Sequence, residues 1–292
     1  LVPGLLGSPT AFRRRFAEPI ERGQDAERRD ALRELVSPFL LRRTKKQVLS
    51  ELPSRTEVTR SVELTADEMA RYEAERRAAL AAVAQQPTDG KGRFTILAAL
   101  TRLRRLACHP ALVDPDAPSR SSKLSAALSM IESLREEGRR ALVFSQFTGH
   151  LHIVRRALVA RGIDPLYLDG GTPAKERASL VERFQEGNDP VFLISLKAGG
   201  TGLNLTAADT VIHLDPWWNP AAEDQASDRA HRIGQTRPVT VVRLIAQGTI
   251  EDKVLALHRE KRELAESLLS GAETHARLDT DALIGLLERG PD

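Results

Sequence analysis

Three side chains suited to binding a polyphosphate occur in the segment AAEDQASDRAHRIG (221–234). Gln225, Arg229 and Arg232 are spaced at i, i+4 and i+7, so a helix over this segment would present all three on one face. Two guanidinium groups on one face are costly to bury without an anion, because their charge must leave water. The spacing therefore predicts a polyphosphate site, and the alternative is a helix face exposed to solvent.

A glycine-rich loop is a second candidate for phosphate binding. Lys197 is followed closely by Gly199, Gly200, Thr201 and Gly202, and glycines allow backbone N–H groups to approach an anion. The spacing is not that of a Walker loop, G-x-x-x-x-G-K-[ST], which occurs nowhere in the chain. A flexible turn without a ligand is the alternative.

A shorter glycine turn consists of Gly170, Gly171 and Thr172, ahead of a helix predicted to begin at Pro173. The free N–H groups at the start of a helix can bind a phosphate. This turn is therefore a third candidate.

The two tryptophans of the chain stand together in the loop DPWWNP (215–220). Asn219 followed by Pro220 is typical of the first residues of a helix. Aromatic residues with a purely structural role lie more often inside a helix or strand. A functional loop and a packing plug are the two interpretations.

Five short apolar, β-branched runs alternate with helix-length segments in the second half of the chain. Such runs, without strict polar alternation, predict strands covered on both faces, and their order predicts an open, mostly parallel α/β sheet. The runs occupy residues 141–147, 166–169, 191–196, 210–215 and 239–246. Functional residues of such sheets lie in loops at the carboxyl ends of strands, which is where the candidates above fall.

The first half of the chain is predicted to be mainly helical, because apolar residues recur there every three or four positions. Thr65 and Glu68 suit a capping box at the start of one helix. The polar, proline-bearing stretch 114–122 marks the best domain boundary. The helical segments are 11–20, 26–40, 64–86 and 95–110.

Basic side chains are concentrated before this boundary. Residues 1–110 carry 21 basic and 14 acidic side chains, whereas the remainder carries 22 and 26. The excess could extend a phosphate-binding surface, although solvated helix faces explain most of these side chains equally well. The basic residues in question include Arg42, Arg43, Lys45, Lys46, Arg102, Arg104 and Arg105.

Composition excludes several classes of protein. The chain has 292 residues, 41% of them hydrophobic, which is enough for a sizeable core. Its single cysteine, Cys108, excludes an internal disulfide and a cysteine-rich zinc site, and no metal ligands are predicted. No apolar run approaches the ~20 residues of a membrane span, and the pattern of a signal peptide is missing. We therefore expect a soluble intracellular protein without a membrane partner.

Several of these segments together resemble the Swi/Snf-type DNA translocases of helicase superfamily two. SLKAGGTGLNLTAADTVIHLD (195–215) with DPWWNPAAEDQASDRAHRIGQ (215–235) resembles motifs V and VI of that family. VFSQFTGHL (143–151) resembles motif IV, and YLDGGTPAKERASLVERFQ (167–185) the next block. The match to RAHRIGQ is among the most specific signatures of the family.

The resemblance extends to the first half of the chain. LLRRTKKQVLSELPSR (40–55) and LTRLRRLACHP (100–110) resemble segments that join the two motor lobes. It implies a first-lobe exit at 1–20, a helical inter-lobe region at 21–115, a helicase C-terminal RecA-like lobe at 116–272 and a tail with a short helix at 273–292. The expected fold is thus α/β, a RecA-like parallel sheet flanked by helices and preceded by a mainly helical region.

The resemblance also implies a motor that binds ATP between two RecA-like lobes and moves along double-stranded DNA. Arg229 and Arg232 would be arginine fingers for the γ-phosphate, and Gln225, Gly202 and Asp215 would border the same cleft. The implied DNA contacts are Ser145, Gln146, Phe147, Gly170, Gly171, Thr172, Lys197, Gly199, Gly200 and Thr201. A DNA-bound protein would be the target of the motor.

Parts of such a motor do not occur in this sequence. The phosphate-binding loop with its lysine is missing, and Asp67-Glu68 is rejected as the magnesium-binding Asp-Glu box because it begins a predicted helix. We therefore expect the first lobe, on the same polypeptide and outside this sequence, to hold most of the ATP and Mg²⁺. The 292 residues alone are expected to lack ATPase activity.

Two other interpretations of the sequence are a strand-separating helicase and a nucleotide-independent binding module. A strand-separating DNA or RNA helicase would more often carry QRxGRxGR as motif VI and would lack the WWNP loop. A nucleotide-independent nucleic-acid-binding module would have no need of Arg229 and Arg232. The expected location is the cytoplasm of a bacterium or archaeon, associated with the nucleoid, or the nucleus of a eukaryote.

Overall fold

The computed structural model describes residues 4–23, 25–39, 52–84, 90–117, 120–198, 202–259 and 284–287. The chain divides into two compact units, residues 1–50 with 256–282 and residues 51–255 with 283–292. Among the described residues, no helix is long and apolar enough to cross a membrane.

The first unit is helical over its described residues. Its elements are α1 (Pro9–Phe12), a π-helical stretch (Arg13–Ala17), α2 (Glu18–Gly23), α3 (Ala26–Val36) and a 3₁₀ turn (Ser37–Phe39). Ser8 caps α1, since its hydroxyl accepts the Ala11 N–H at 3.2 Å. Helices thus occupy the described parts of the segments predicted at 11–20 and 26–40. Arg42, Arg43, Lys45 and Lys46 lie outside the described residues.

The second unit is built on a six-stranded parallel sheet in the order β1-β6-β5-β2-β4-β3. This confirms the predicted RecA-like α/β fold, and each of the five apolar runs contains a strand. The strands are β1 (Arg55–Val62), β2 (Ala141–Ser145), β3 (Leu166–Leu168), β4 (Val191–Ser195), β5 (Thr210–His213) and β6 (Val239–Ala246).

Helices precede and connect these strands. They are α4 (Ala66–Ala84), α5 (Gly90–Cys108), α6 (Ser122–Glu136), α7 (Thr148–Val159), α8 (Ala174–Glu186) and α9 (Pro220–Ser227), with α10 over residues 250–259 and a short helix over 284–287. A 3₁₀ turn (Pro110–Leu112) follows α5.

Apolar side chains cover both faces of the sheet, which explains the unbroken apolar runs of the central strands. Val143 of β2 joins a core with Ile131 of α6, whereas Phe144 joins the opposite core with Phe184 of α8. Neighbouring residues of a strand point to opposite faces, so each central strand contributes to both cores. Burial of each large apolar side chain contributes about 1.5–3 kcal/mol, which holds the loops at the ends of these strands in place.

Strand β1 was not predicted. It pairs in parallel with β6 from Arg55 opposite Val239 to Val62 opposite Ala246, at the edge of the sheet. Most of its side chains are exposed. An edge strand with charged side chains lacks the apolar pattern of a central strand.

Two predicted helix starts are confirmed by their hydrogen bonds. Thr65 and Glu68 form the capping box of α4, with the Thr65 N–H donating to Glu68 Oε2 at 2.9 Å and the Glu68 N–H donating to Thr65 Oγ1 at 3.3 Å. Asn219 caps α9 by accepting the Ala221 N–H at 3.1 Å, and Pro220 is the first helical residue. Asp67-Glu68 therefore does begin a helix.

Candidate functional site

Several of the candidate residues gather at the carboxyl edge of the sheet. β2 lies between β5 and β4, so the loops that follow these three strands are neighbours. Ser145 ends β2 and Phe147 lies in the loop that follows it, Lys197 lies in the loop after β4, and Asp215 in the loop after β5. Tertiary structure thus brings together segments that are up to 70 residues apart in sequence.

Asp215 fastens the loop after β5 to the loop after β2. The Ser145 hydroxyl donates to Asp215 Oδ1, and the Gln146 N–H donates to Oδ2 at 3.3 Å. Burial raises the pKa of Asp215, while the Ser145 hydrogen bond and the Arg104 charge oppose that shift. Because Asp215 is buried and both its oxygens accept hydrogen bonds, it contributes to the edge by positioning the two loops.

The predicted helical face of Gln225, Arg229 and Arg232 is not formed. Helix α9 ends at Ser227, and the two arginines lie in the turn that follows it. The Arg229 carbonyl accepts the Leu205 N–H at 3.0 Å, a long-range bond that takes the chain out of the helix. The three side chains are therefore not stacked in one row, and only Gln225 belongs to α9.

Gln235 fixes this turn from inside. Its side-chain amide donates to the carbonyls of Thr206, Ala208 and Ala230 at 3.0, 2.8 and 2.9 Å. One buried amide group therefore holds the segment after α9 against the segment before β5. The glutamine of RIGQ thus has a structural role here that the sequence pattern did not reveal.

The Arg229 side chain is buried and lacks a counter-ion among the described residues. It is 4% exposed, and its Nε and Nη1 have no hydrogen-bond partner within the described part of the chain. Burial and the nearby Arg232 charge lower the pKa of Arg229 to about 10. A buried guanidinium with unsatisfied donors is costly. An anion next to Arg229 would satisfy these two donors and offset its charge.

Arg232 and Gly202 are in contact beside the turn that follows α9, and this turn is held against residues 205–208, ahead of β5. Arg232 Nη1 donates to the Gly202 carbonyl at 3.3 Å, and both residues are exposed. Space is open where a side chain at Gly202 would lie. Arg229, Arg232 and the end of the glycine-rich loop thus form one basic corner.

The middle of the glycine-rich loop lies outside the described residues, so Gly199, Gly200 and Thr201 stay predictions. Lys197 is exposed, and Ala198 is buried with its N–H donating to Ser195 Oγ at 3.3 Å. The loop therefore leaves β4 with its lysine facing solvent.

The turn at Gly170, Gly171 and Thr172 is closed by its own side chains. The Gly171 N–H donates to Asp169 Oδ1 at 2.8 Å, and Arg177 Nε donates to the Thr172 carbonyl at 2.7 Å. The predicted use of the Gly171 N–H for a phosphate therefore competes with a carboxylate that already occupies it.

The tryptophan loop is held on two sides. The Trp217 N–H donates to Glu223 Oε1 at 2.6 Å, and Glu223 Oε2 accepts from Arg243 Nε at 2.9 Å. On the other side, Arg104 of α5 donates to the Pro216 carbonyl and faces the Trp218 ring at 4.8 Å. Arg104 is only 3% exposed, so its expected place on a DNA-facing surface is wrong.

A buried polar cluster lies behind these loops. Lys123 and Glu251 form an ion pair with both side chains buried, and the Cys108 thiol lies 3.7 Å from Glu251. Burial alone would lower the pKa of Lys123, but the Glu251 carboxylate outweighs it and the pKa is raised. The cluster joins α5, α6 and α10.

One group of possible metal ligands occurs within the described residues. Cys108, His150 and Asp215 are buried with ligand atoms within 4.8 Å of one another. The Lys123 charge acts on all three side chains, and His150 has a pKa well below its usual range because of burial and that charge. An ammonium group inside the cluster repels a dication, and thiol and imidazole are poor ligands for Mg²⁺. We therefore assign no metal to this group.

Both parts of the sequence match known protein families. Residues 1–112 match the SNF2-related domain, and residues 122–234 match the helicase conserved C-terminal domain. The chain is 36% identical over 290 residues to the uncharacterized ATP-dependent helicase MG018 of Mycoplasma genitalium, covering 99% of this chain and 28% of that protein. It is 38% identical over 280 residues to the DNA excision repair protein CSB of Oryza sativa subsp. japonica, covering 88% and 23%.

A solved structure matches nearly the whole chain. The SWI2/SNF2 ATPase core of Sulfolobus solfataricus in complex with dsDNA superposes with a TM-score of 0.66 and 34% identity, over 99% of this chain and 62% of that one. The chain spans less than a third of the length of the curated relatives named above.

Proposed function

The chain belongs to the SNF2-related family of ATP-dependent helicases, and on this premise we propose that it supplies the second motor lobe of a double-stranded DNA translocase. In this proposal the first lobe binds most of the ATP, and the present residues complete the site and bind the DNA backbone. A DNA-bound protein would be displaced or remodelled by the movement.

The observation that carries the proposal is the unpaired guanidinium of Arg229. Arg229 is buried and has no carboxylate in ion-pair contact among the described residues, and the charge that acts on it is that of another cation, Arg232. Such an arrangement is unfavourable until an anion arrives. The terminal phosphates of ATP are an anion of suitable charge.

The residues at this corner fit a nucleotide phosphate. Arg229 and Arg232 would hold the γ-phosphate as arginine fingers, and guanidinium groups there stabilise the charge that develops in phosphoryl transfer. Gly202 and Gln225 would border the same cleft. ATP supplies the free energy of hydrolysis when it is bound.

Mg²⁺ is assigned to the first lobe in this proposal. The group of Cys108, His150 and Asp215 is not an oxygen ligand set, and the Lys123 charge disfavours a cation there. No phosphate-binding loop occurs in the sequence either. We therefore expect the 292 residues alone to hydrolyse ATP at a negligible rate.

DNA would bind along the loops at the carboxyl edge of the sheet. Lys197 is exposed after β4, and the loop of Gln146 and Phe147 is its neighbour after β2. The exposed Arg105 adds a charge 5.8 Å from the Phe147 ring. Contacts of this kind reach phosphates, so binding should not depend on base sequence and should weaken with salt.

The decisive experiment measures ATP turnover of the intact parent protein with and without duplex DNA. Arg232→Ala should lower DNA-stimulated turnover by about a thousand-fold or more, as expected for loss of an arginine finger, and should leave DNA affinity nearly unchanged. Arg237→Ala is the matched control, because Arg237 is exposed in the following turn and pairs with Asp209 at 3.4 Å. Equal turnover in both variants would remove the finger assignment.

Stimulation by duplex DNA also separates the proposal from its alternatives. A nucleotide-independent binding module would show no turnover in the parent. A strand-separating helicase would release a labelled strand from a forked duplex, whereas a translocase would consume ATP without releasing it.

A further inference from the structure

We infer that Arg104 is a positioning residue that couples the tryptophan loop to the loop after β2. Its guanidinium comes from α5, which precedes β2 in the chain, and touches both loops. The geometry of this inference is independent of the proposed function, whereas its expected effect on DNA binding rests on that function.

Three aromatic rings surround the guanidinium. The Arg104 Cζ atom lies 4.8 Å from the centre of the Trp218 ring, 6.0 Å from that of Trp217 and 5.8 Å from that of Phe147. Its Nη2 donates to the Pro216 carbonyl. One side chain therefore contacts the loop after β5 and the loop after β2 at the same time.

The guanidinium is held here without a carboxylate in ion-pair contact among the described residues. Burial lowers the pKa of Arg104, and the Asp215 charge opposes this only in part. Its Nε has no hydrogen-bond partner in the described structure. The faces of the rings and one carbonyl thus provide most of its stabilisation, which a planar, weakly hydrated cation accepts and an ammonium does not.

Neighbouring arginines of α5 show that this arrangement is particular to Arg104. Arg102 is exposed and pairs with Glu75 at 2.5 Å. Arg105 is exposed and reaches only the Phe147 ring, at 5.8 Å. Helical spacing therefore turns Arg104 alone of the three towards both loops.

Coupling follows from the shared contact. A small shift of α5 against the sheet would move the Arg104 guanidinium. Both loops would then lose their contacts with it at the same time. Asp215 reinforces the link, because the same two loops meet at its carboxylate through Ser145 and Gln146. Arg104 acts on the site through these loops and does not itself face the expected ligands.

The tryptophans make a direct test possible, because Trp217 and Trp218 are the only two in the 292 residues. In Arg104→Met the fluorescence emission should shift to longer wavelength and acrylamide quenching should rise, because the loop that carries the rings loses the cation that holds it. Arg102→Met, on the same helix and exposed, should leave both unchanged. Equal spectra for Arg104→Met and wild type, with far-UV circular dichroism intact, would overturn the inference.

A second variant tests the coupling and serves if Arg104→Met does not fold. Phe147→Leu should alter tryptophan emission through the shared guanidinium, although it changes the other loop. In the Arg104→Met background the same change should have no effect on emission. An unaltered emission spectrum in Phe147→Leu alone would show that the loops are independent.

DNA affinity then distinguishes this inference from the proposed function. Arg104→Met should weaken duplex binding by at most about three- to ten-fold, because no more than the free energy of the lost cation–π contacts can pass into binding through the two loops. If the wild-type chain does not bind duplex DNA but the fluorescence results hold, the positioning role stands and the proposed function fails. Full duplex affinity in a folded Arg104→Met with altered emission would overturn the functional part of the inference alone.

Discussion

Arg229 and Arg243 are equally buried, at 4% exposure each, yet their surroundings are opposite. Arg243 donates to Glu223 at 2.9 Å and to Glu57 at 2.7 Å, and these carboxylates outweigh burial and raise its pKa. Arg229 has no such partner in the described structure, and its pKa falls to about 10. Burial of an arginine therefore does not by itself indicate a structural role.

The partners of each arginine indicate what it does. Arg243 belongs to a network in which Glu223 also holds the Trp217 N–H and Arg55 pairs with Asp224 and Asp228. Its charge is neutralised by the protein itself, so it stabilises the lobe. The charge of Arg229 is not neutralised by the described residues, and in the proposed function it is available to a ligand, as in sites where stability is given up for function.

Replacing each arginine by methionine should give effects of opposite sign. Arg243→Met leaves buried carboxylates without their cation and should lower the free energy of unfolding by about 3–5 kcal/mol. Arg229→Met removes an unsatisfied buried cation and should raise it by about 1 kcal/mol. Urea denaturation of the 292-residue chain, followed by circular dichroism, measures both.

Arg161→Met is the control for this pair, because Arg161 forms an exposed ion pair with Glu132 at 2.9 Å and should change stability by less than about 1 kcal/mol. A loss of stability in Arg229→Met as large as that in Arg243→Met would mean that Arg229 is structural. The contrast between the two arginines would then be wrong.

Acid should next lower the free energy of unfolding through His213, which lies beside Arg243 and Glu223. The His213 side chain is buried, bonds Ser227 at 2.9 Å, and burial with the Arg243 charge lowers its pKa to about 4, against the pull of Glu223. The unfolded chain binds a proton near pH 6.5, which the folded chain does not. The neutral His213 therefore contributes fully to the free energy of unfolding above pH 6.5. This contribution is lost as the pH falls to 4, by about 3 kcal/mol at most.

Unfolding measured across this pH range checks the prediction. His213→Gln should flatten the loss of stability between pH 6.5 and 4, leaving the part that comes from His150, whose pKa is also lowered. His152→Gln, at an exposed histidine stacked on Tyr167, should keep the wild-type slope. An identical slope in both variants would exclude His213 as the source.

The smallest effect is expected at Lys197, the exposed lysine that follows β4. Lys197→Ala should weaken duplex binding about two- to five-fold for any sequence and reduce the slope of log K against log salt by about 1. Lys175→Ala, an exposed lysine of α8, is the matched control. A change that differs between DNA sequences would point to base contacts at Lys197 and contradict a phosphate contact.

The sheet was predictable where burial acts on both faces of a strand. The run at 141–147 contains β2 (Ala141–Ser145), and all five residues of this strand are buried. Its apolar composition was therefore enough to predict it. β1 escaped prediction because it lies at the edge and exposes polar side chains. The end of α9 was not predicted because groups outside the helix hold the turn that follows it. These groups are the Leu205 N–H and the Gln235 side-chain amide.

The amino-acid sequence by itself predicted the five strands β2 to β6 and the alternation of strands with helices, but neither the edge strand β1 nor the end of α9. Local spacing and apolar patterning suffice for that, because they act between near neighbours in the chain. Only the tertiary structure decided which cations are paired. Lys123 pairs with a residue 128 positions away and Arg243 with residues 20 and 186 positions away, whereas Arg229 meets no carboxylate among the described residues. Coulomb energy depends on distance in space and on burial, and neither can be read from separation along the sequence.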